Sequence, residues 1–134
     1  WDVAEDAELL ADRIGELKTA GVRVSVFMDP VPGRMAAVVV HDAARVEIYT
    51  EAYAKAFGTA DEDRVFKGYA EAAKAARDAG LGVNAGHDLD LDNLAKFVTI
   101  EGVLEVSIGH ALISDALYMG LVDAVKAYLE QLGY

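Results

Sequence analysis

Apolar residues along the chain recur every three to four positions in some stretches and every second position in others. The first period is that of an amphipathic helix, and the second is that of a half-buried strand. The helices predicted by the first period span residues 5–20, 33–42, 61–79, 91–97 and 111–132. The strands predicted by the second span residues 22–27, 45–50, 81–84 and 103–107. The order is therefore one helix followed by four strand–helix units.

The same pattern predicts which side of each helix is buried. Glycines at positions 21 and 80 stand where a helix-closing residue is expected, one after the first predicted helix and one after the third. The residues expected to face the core are Leu10, Ile14, Leu17, Met35, Val38, Val39, Val65, Phe66, Tyr69, Ala73, Leu112, Ala116, Leu117, Leu121, Val125 and Leu129.

Strands that alternate with helices, without a hairpin signal, predict parallel pairing. A (β/α)8 barrel takes about 250 residues, so four units in 134 residues have the density of half a barrel. A doubly wound fold usually has a glycine-rich first turn, which is absent here. The predicted fold class is thus α/β, with four βα units and a preceding helix forming half of a barrel.

Composition limits the function. The chain is 54% hydrophobic and shows no linker, so residues 1–134 are expected to form a single domain. A net charge of −11 without a basic cluster argues against nucleic acid as a partner. The absence of cysteine fits a cytoplasmic location, and apolar runs far shorter than about 20 residues argue against a membrane span.

In parallel α/β folds the reactive side chains lie where strands end. The polar candidates at these positions are Asp29, Glu47, Thr50, His87, Ser107, Gly109 and His110. Gly109-His110 opens the last predicted helix, whose unpaired N–H groups and partial positive charge suit an anion. The segment is a phosphate cradle or an ordinary tight turn, and the residues alone leave both open.

His87 and Glu47 are the candidates for proton chemistry. An imidazole titrates near neutral pH, so His87 is a general acid or base, or else a loop histidine bonded to the backbone. Glu47 lies in mid-strand, where a carboxylate is costly unless it has a partner, which favours a site role. His41 is expected to be solvated, and the alternation of Asp88, Asp90 and Asp92 is expected to cap a helix.

Four runs resemble the C-terminal half of pyridoxine 5′-phosphate synthase. They are VRVSVFMDP at 22–30, RVEIYT with the following AYA at 45–54, GLGVNAGHDLDLDNL at 80–94 and EVSIGHALISDALYMGL at 105–121. The resemblance implies a (β/α)8 barrel, usually an octamer, that needs no metal or organic cofactor. It implies condensation of 1-deoxy-D-xylulose 5-phosphate with 3-amino-2-oxopropyl phosphate, which releases phosphate and water as the pyridine ring closes.

The resemblance also implies roles. His87 would be the proton donor, Glu47 would stabilise charge in the transition state, and Asp88, Gly109 and His110 would hold the aminoketone phosphate. Asp88 and Glu51 stand where glycine is common in the family, and so does Asp42-Ala43.

The family's first strands supply another glutamate, a histidine base and the sugar-phosphate site, and this sequence has no counterpart for them. Two interpretations remain open. The chain belongs to an active synthase completed by an N-terminal half-barrel, or it is a catalytically silent half-barrel that acts only in folding or assembly. In either case we expect pairing with the missing half or self-association.

Overall fold

The computed structural model describes residues 2–39 and 41–134, in which seven helices and four strands are present. The helices are α1 Ala7–Thr19, α2 Pro32–Val39, α3 Glu51–Ala56, α4 Glu62–Asp78, α5 Leu94–Phe97, α6 His110–Met119 and α7 Leu121–Gln131. The strands are β1 Ser25–Met28, β2 Arg45–Tyr49, β3 Gly82–Gly86 and β4 Val103–Ser107. The helix predicted over 33–42 includes Val40, which lies outside the described residues.

The four strands form one parallel sheet in the order β1-β2-β3-β4, which confirms the predicted α/β class and parallel pairing. Neighbours in the register lie side by side on one face of the sheet. One such row consists of Phe27, Glu47, Asn84 and Glu105, and the next row consists of Tyr49, Gly86 and Ser107. The register therefore brings residues far apart in sequence to the same edge.

Helices cover only one face of the sheet. Alternate strand residues such as Val46, Ile48 and Val83 are at most 1% exposed and join a single cluster with helix residues. Ile14 of α1 and Met35 of α2 belong to that cluster, as predicted. Most residues on the other face, from here on the open face, are less covered, although Asn84 on this face is only 6% exposed. The less covered residues are Phe27, Arg45, Glu47, Tyr49, Glu105 and Ser107.

Glycine closes α1 and α4 as the sequence predicts. Gly21 has φ of 77° and Gly80 has φ of 86°, a left-handed backbone that a side chain disfavours. After α1, the N–H groups of Gly21 and Val22 donate to the carbonyls of Lys18 and Leu17, which is a Schellman motif. The same pairing follows α4, so both helices turn directly toward the next strand.

Three helix predictions differ from the structure. The short helix α3 was missed, because its six residues are too few for a clear period. The last helix is two, α6 and α7, because Gly120 has φ of 87° and interrupts the α-helical backbone. The buried side predicted for this helix is confirmed only in part: Leu112 is half-buried and packs against the core, whereas Leu117, Leu121, Val125 and Leu129 are exposed and Ala124 and Tyr128 are the buried residues.

Smaller differences concern single side chains. Leu17 and Val39 are exposed although their spacing predicts burial. His41 is half-buried, and its Nε2 atom lies 3.1 Å from the carbonyl oxygen of Val3, so the expectation of a solvated ring is wrong. Within the described part of the chain, no helix is both long and apolar enough to cross a bilayer.

Candidate active site

An open cleft of about 940 Å³ lies at the carboxyl ends of β2, β3 and β4. It is lined by all five residues to which the family resemblance assigns a role, and by Ser107, whereas Asp29 and Thr50 do not line it. The five are Glu47, His87, Asp88, Gly109 and His110. These residues meet because each lies in or just after a strand, and parallel strands have their carboxyl ends on the same side of the sheet.

Glu47 reaches across β3 because Gly86 has no side chain. A Cβ atom placed on Gly86 would lie 2.5 Å from Glu47 Oε1 and 3.3 Å from the carbonyl oxygen of Ser107. Only glycine leaves room for the carboxylate there. Glu47 itself is half-buried at the wall of the cleft, where a carboxylate can act on a bound molecule without being fully desolvated.

His87 is flanked by two aromatic rings. Its imidazole contacts Tyr49 edge to face with the ring centroids 4.6 Å apart, and Phe27 in the same manner at 5.9 Å. Such contacts favour a defined ring orientation. Phe27, Tyr49 and His87 also line a second cleft of about 410 Å³ on the β1 side, together with Asp29. The imidazole thus faces both clefts.

The loop after β3 is tied to α3 and α5 by buried polar groups. Thr50, which is fully buried, places its hydroxyl oxygen within hydrogen-bond distance of the carbonyls of Gly86 and His87, between which its single proton is shared. The Asn93 amide donates to the carbonyl of Asp88 over 3.0 Å. Asp90 accepts the N–H groups of Asp92 and Asn93 in the turn that precedes α5, whereas the N-terminus of α5 itself has no side-chain cap, so the expected capping of this helix by the acidic stretch is not confirmed.

Gly109 precedes the first turn of α6, and both Gly109 and His110 are exposed to the cleft. A Cβ atom on Gly109 would meet nothing within 4 Å, and the residue does not have a positive φ. Neither packing nor backbone strain therefore requires glycine at this position. The first N–H groups of α6 have no intrahelical acceptor, which leaves them available to an anion that approaches past Gly109.

A charged cluster lies deeper on the open face. Arg45 NH1 is 2.8 Å from Glu105 Oε2 and donates to Asn84 Oδ1, also at 2.8 Å. Gly82 makes room for it, since a Cβ there would lie 2.9 Å from Arg45 Cγ. Glu105 and Asn84 thus compensate the positive charge of the Arg45 guanidinium group, which is largely removed from water.

Glu51 is the first residue of α3, and its contacts account for its carboxylate. It pairs with Lys55 one helical turn later, and this hydrogen bond, followed by that to the Tyr49 hydroxyl, lowers the pKa of Glu51. The Glu51 hydrogen bond in turn raises the pKa of Tyr49.

Sequence reasoning missed the structural supports of the site. Phe27 was treated only as a strand residue, and Tyr49 only as a residue on the same face as Glu47. Asn93 carried no signal beyond a polar residue before an apolar stretch. Parallel pairing was predicted, but the residue-by-residue alignment of neighbouring strands was not. It is this alignment that brings Phe27, Glu47 and Asn84 into one row. No group of three or more histidine, cysteine or acidic side chains within residues 2–39 and 41–134 is placed to hold a metal ion.

A parallel sheet with a carboxylate, an imidazole and a helix N-terminus at one cleft defines an α/β protein with its candidate site at the carboxyl ends of its strands. Residues 1–133 match the family described as Pyridoxal phosphate biosynthesis protein PdxJ. The chain belongs to this family. The resemblance of the four sequence runs is thereby confirmed.

Curated relatives agree. The chain is 51% identical to pyridoxine 5′-phosphate synthase of Albidiferax ferrireducens over 130 residues. The matched segment covers 96% of this chain and 52% of the relative. The chain is 48% identical over 133 residues to the enzyme of that name from Cytophaga hutchinsonii, covering 98% of this chain and 56% of the relative. The chain thus spans about half the length of the curated relatives it matches.

Proposed function

We propose that residues 1–134 form a single domain that is the C-terminal half of a (β/α)8 barrel, and that this half supplies part of the active site of a pyridoxine 5′-phosphate synthase. The enzyme is a transferase of vitamin B6 biosynthesis. It condenses 1-deoxy-D-xylulose 5-phosphate with 3-amino-2-oxopropyl phosphate and closes the pyridine ring with release of phosphate and water.

The observation that carries the proposal is the meeting of Glu47, His87 and Gly109-His110 at one cleft. Ring closure needs proton transfers and stabilisation of charge, for which an imidazole and a carboxylate are suited. Both substrates bear phosphate, for which the N-terminus of α6 is suited. The family membership and the two relatives' names point to the same chemistry.

Each residue has a defined role in this proposal. His87 donates a proton to the reacting substrate from its position between Phe27 and Tyr49. Glu47 stabilises positive charge that develops during the condensation. Gly109, His110 and Asp88 hold the aminoketone phosphate, Gly109 by admitting it to the backbone N–H groups of α6.

Asp88 carries a negative side chain, so the way in which it binds a phosphate has to be specified. It is exposed, and its carbonyl is bound by Asn93. A carboxylate aimed at a phosphate would repel it. We therefore assign to Asp88 a contact through its backbone N–H, which needs no particular side chain.

The proposal also covers binding partners, cofactors and cellular location. The partners are phosphorylated small molecules, the N-terminal half-barrel and further copies in a homo-oligomer, an octamer by resemblance, without nucleic acid. The reaction uses no metal or organic cofactor and takes place in the cytoplasm.

The test is a variant of the full-length protein that contains this half. His87→Asn keeps a polar side chain of similar size but removes the titrating ring, so kcat should fall by about 10²–10⁴. His41→Asn is the matched control, because His41 lies beside the carbonyl of Val3 and lines neither cleft. Turnover of the His87 variant at the wild-type rate would refute the assignment.

The second candidate is a catalytically silent half-barrel that acts only in folding or assembly. It is favoured by the exposure of apolar side chains such as Leu104 and Leu117, at 62% and 82%. Condensation by the 134-residue chain alone, measured as formation of pyridoxine 5′-phosphate, would rule it out. Restoration of activity only on mixing with an N-terminal half would support the first proposal.

A further inference from the structure

His87 and Asp88 are consecutive residues in the left-handed region of backbone space. Their φ values are 80° and 56°, and neither is glycine. A Cβ atom makes this conformation unfavourable, so it persists only where surrounding contacts impose it. The contacts that impose it determine where the imidazole of His87 points.

The carbonyls of both residues are held by polar side chains from other elements. Thr50 Oγ contacts the carbonyl of His87 and lies 2.6 Å from that of Gly86, while the Thr50 N–H donates to Gly86 over 3.0 Å. Asn93 Nδ2 donates to the carbonyl of Asp88 over 3.0 Å. One buried donor therefore serves each left-handed residue.

These two donors are themselves fixed. Thr50 is 0% exposed and Asn93 is 3% exposed, so neither can exchange its partner for bulk water. Asn93 Oδ1 accepts the N–H of Asp90 over 3.1 Å, and its carbonyl accepts the Tyr53 hydroxyl over 2.8 Å. The hydrogen bonds run without interruption from α3 to the loop that bears His87.

We infer that Thr50 and Asn93 are positioning residues, which hold the His87-Asp88 turn in its left-handed form and so direct the imidazole of His87 and the backbone of Asp88 to the cleft. The inference rests on the proposed function for its kinetic consequence. Its structural content, the orientation of the ring, can be measured independently.

The first experiment replaces Thr50 in the full-length protein. Thr50→Val keeps the shape and removes the hydroxyl, so we expect kcat to fall by about 10- to 100-fold with KM changed less than about threefold, since a small misplacement of a catalytic group acts mainly on rate. Thr50→Ser restores the hydroxyl and most of the rate. Thr99→Val is the control, because the exposed Thr99 also donates to a carbonyl, that of Lys96, and neither residue lines a cleft.

The second readout is the NMR spectrum of His87. Its ring protons lie between Phe27 and Tyr49, whose ring currents make their chemical shifts sensitive to orientation. Thr50→Val should move these signals, and Thr99→Val should not. Unmoved His87 signals in Thr50→Val would overturn the inference, whatever the kinetics show.

Asn93 is tested by a double-mutant cycle with Asp88→Gly. Glycine adopts the left-handed conformation without penalty, so Asn93→Ala should lower kcat at least about threefold less in the Asp88→Gly background than in the wild type. Equal losses in both backgrounds would remove Asn93 from the inference. If Thr50→Val does not fold, this cycle still tests whether the His87-Asp88 turn is held by a positioning residue.

The two proposals fail in different ways. Wild-type turnover of His87→Asn would remove the proposed catalytic role, and moved His87 signals in Thr50→Val would still support positioning. A fall in kcat for His87→Asn combined with wild-type kcat and unmoved signals for Thr50→Val would sustain the proposed function and reject the positioning role of Thr50.

Discussion

The contact between Gly86 and Glu47 permits a sharp test of the site. In Gly86→Ala the new methyl group would lie 2.5 Å from Glu47 Oε1, well inside an ordinary contact of 3.4 Å or more. The carboxylate is the end of a flexible side chain, so it can retreat. The neighbouring carbonyl oxygen of Ser107, at 3.3 Å, is backbone and yields far less.

The magnitude follows from this geometry. Glu47 Oε1 must move by about 1 Å to escape the methyl group, and a misplacement of that size at a catalytic group can lower the rate by about 100-fold. The loss of stability should be smaller, about 1–2 kcal/mol, because overpacking is relieved by a side-chain rotation. The variant should therefore be folded and slow.

The assay is the condensation rate of the full-length protein, with the free energy of unfolding measured on the same samples. Gly68→Ala is the matched control, because Gly68 lies within α4 and a Cβ there meets nothing within 4 Å. That variant should keep its rate and gain up to about 1 kcal/mol of stability.

A Gly86→Ala variant with wild-type kcat would show that the Glu47 position is not critical and would refute the reasoning. The pair Gly86→Ala and Glu47→Gln refines the result. If the alanine acts through Glu47, combining the two changes should lower kcat little more than the stronger single change. Fully additive losses would assign the effect of Gly86→Ala to another part of the cleft.

Five further predictions concern a buried tyrosine, the phosphate site, an ion pair and the edges of the sheet. Tyr53→Phe should lower the free energy of unfolding by about 1–3 kcal/mol in denaturant titrations, because it leaves a buried carbonyl without its donor. Burial also raises the pKa of Tyr53 to about 12, so its hydroxyl should show no titration in ultraviolet spectra below pH about 10. Gly109→Val should weaken binding of inorganic phosphate in calorimetry, since a branched side chain would fill the open space before α6, and unchanged affinity would count against the cradle. The hydrogen bond from Lys96 lowers the pKa of Glu62 below its ordinary 4.5, so this contribution to stability is present above that pH and is lost as the pH falls through the lowered pKa. Lys96→Met should flatten that part of a plot of melting temperature against pH, and an unchanged plot would contradict the assignment. The 134-residue chain should associate in sedimentation experiments at micromolar concentration, because β1 and β4 are the edges of the described sheet, and a single folded 14.3 kDa species would contradict this.

Much of the fold follows from local pattern. The period-two alternation in β2 predicts that Val46 and Ile48 share one face of the strand, and both are at most 1% exposed. Gly21 and Gly80 marked the ends of α1 and α4, because only glycine adopts a positive φ freely. Strand β4 has the predicted bounds 103–107. In each case the signal lies within a few residues of the element that it predicts.

The candidate site was predictable for the residues at strand ends. Glu47, His87 and Gly109 were identified because parallel strands place their carboxyl ends at one edge, and the structure brings them to one cleft. Their roles stay proposals. The exposure of Leu117 could not be foreseen, because an apolar stripe indicates an apolar face and does not name the surface that covers it.

The order of the elements, their parallel pairing and the polar residues at the strand ends could be predicted from local pattern, since periodicity and turn chemistry are properties of short segments. Tertiary structure alone decided that Gly86 makes room for Glu47, that Phe27 and Tyr49 flank His87, and that Thr50 and Asn93 hold the turn after β3. These contacts join residues up to 60 positions apart, such as Phe27 and His87. The strand register and the packing of α3 and α5 bring them together, and no local pattern contains that information.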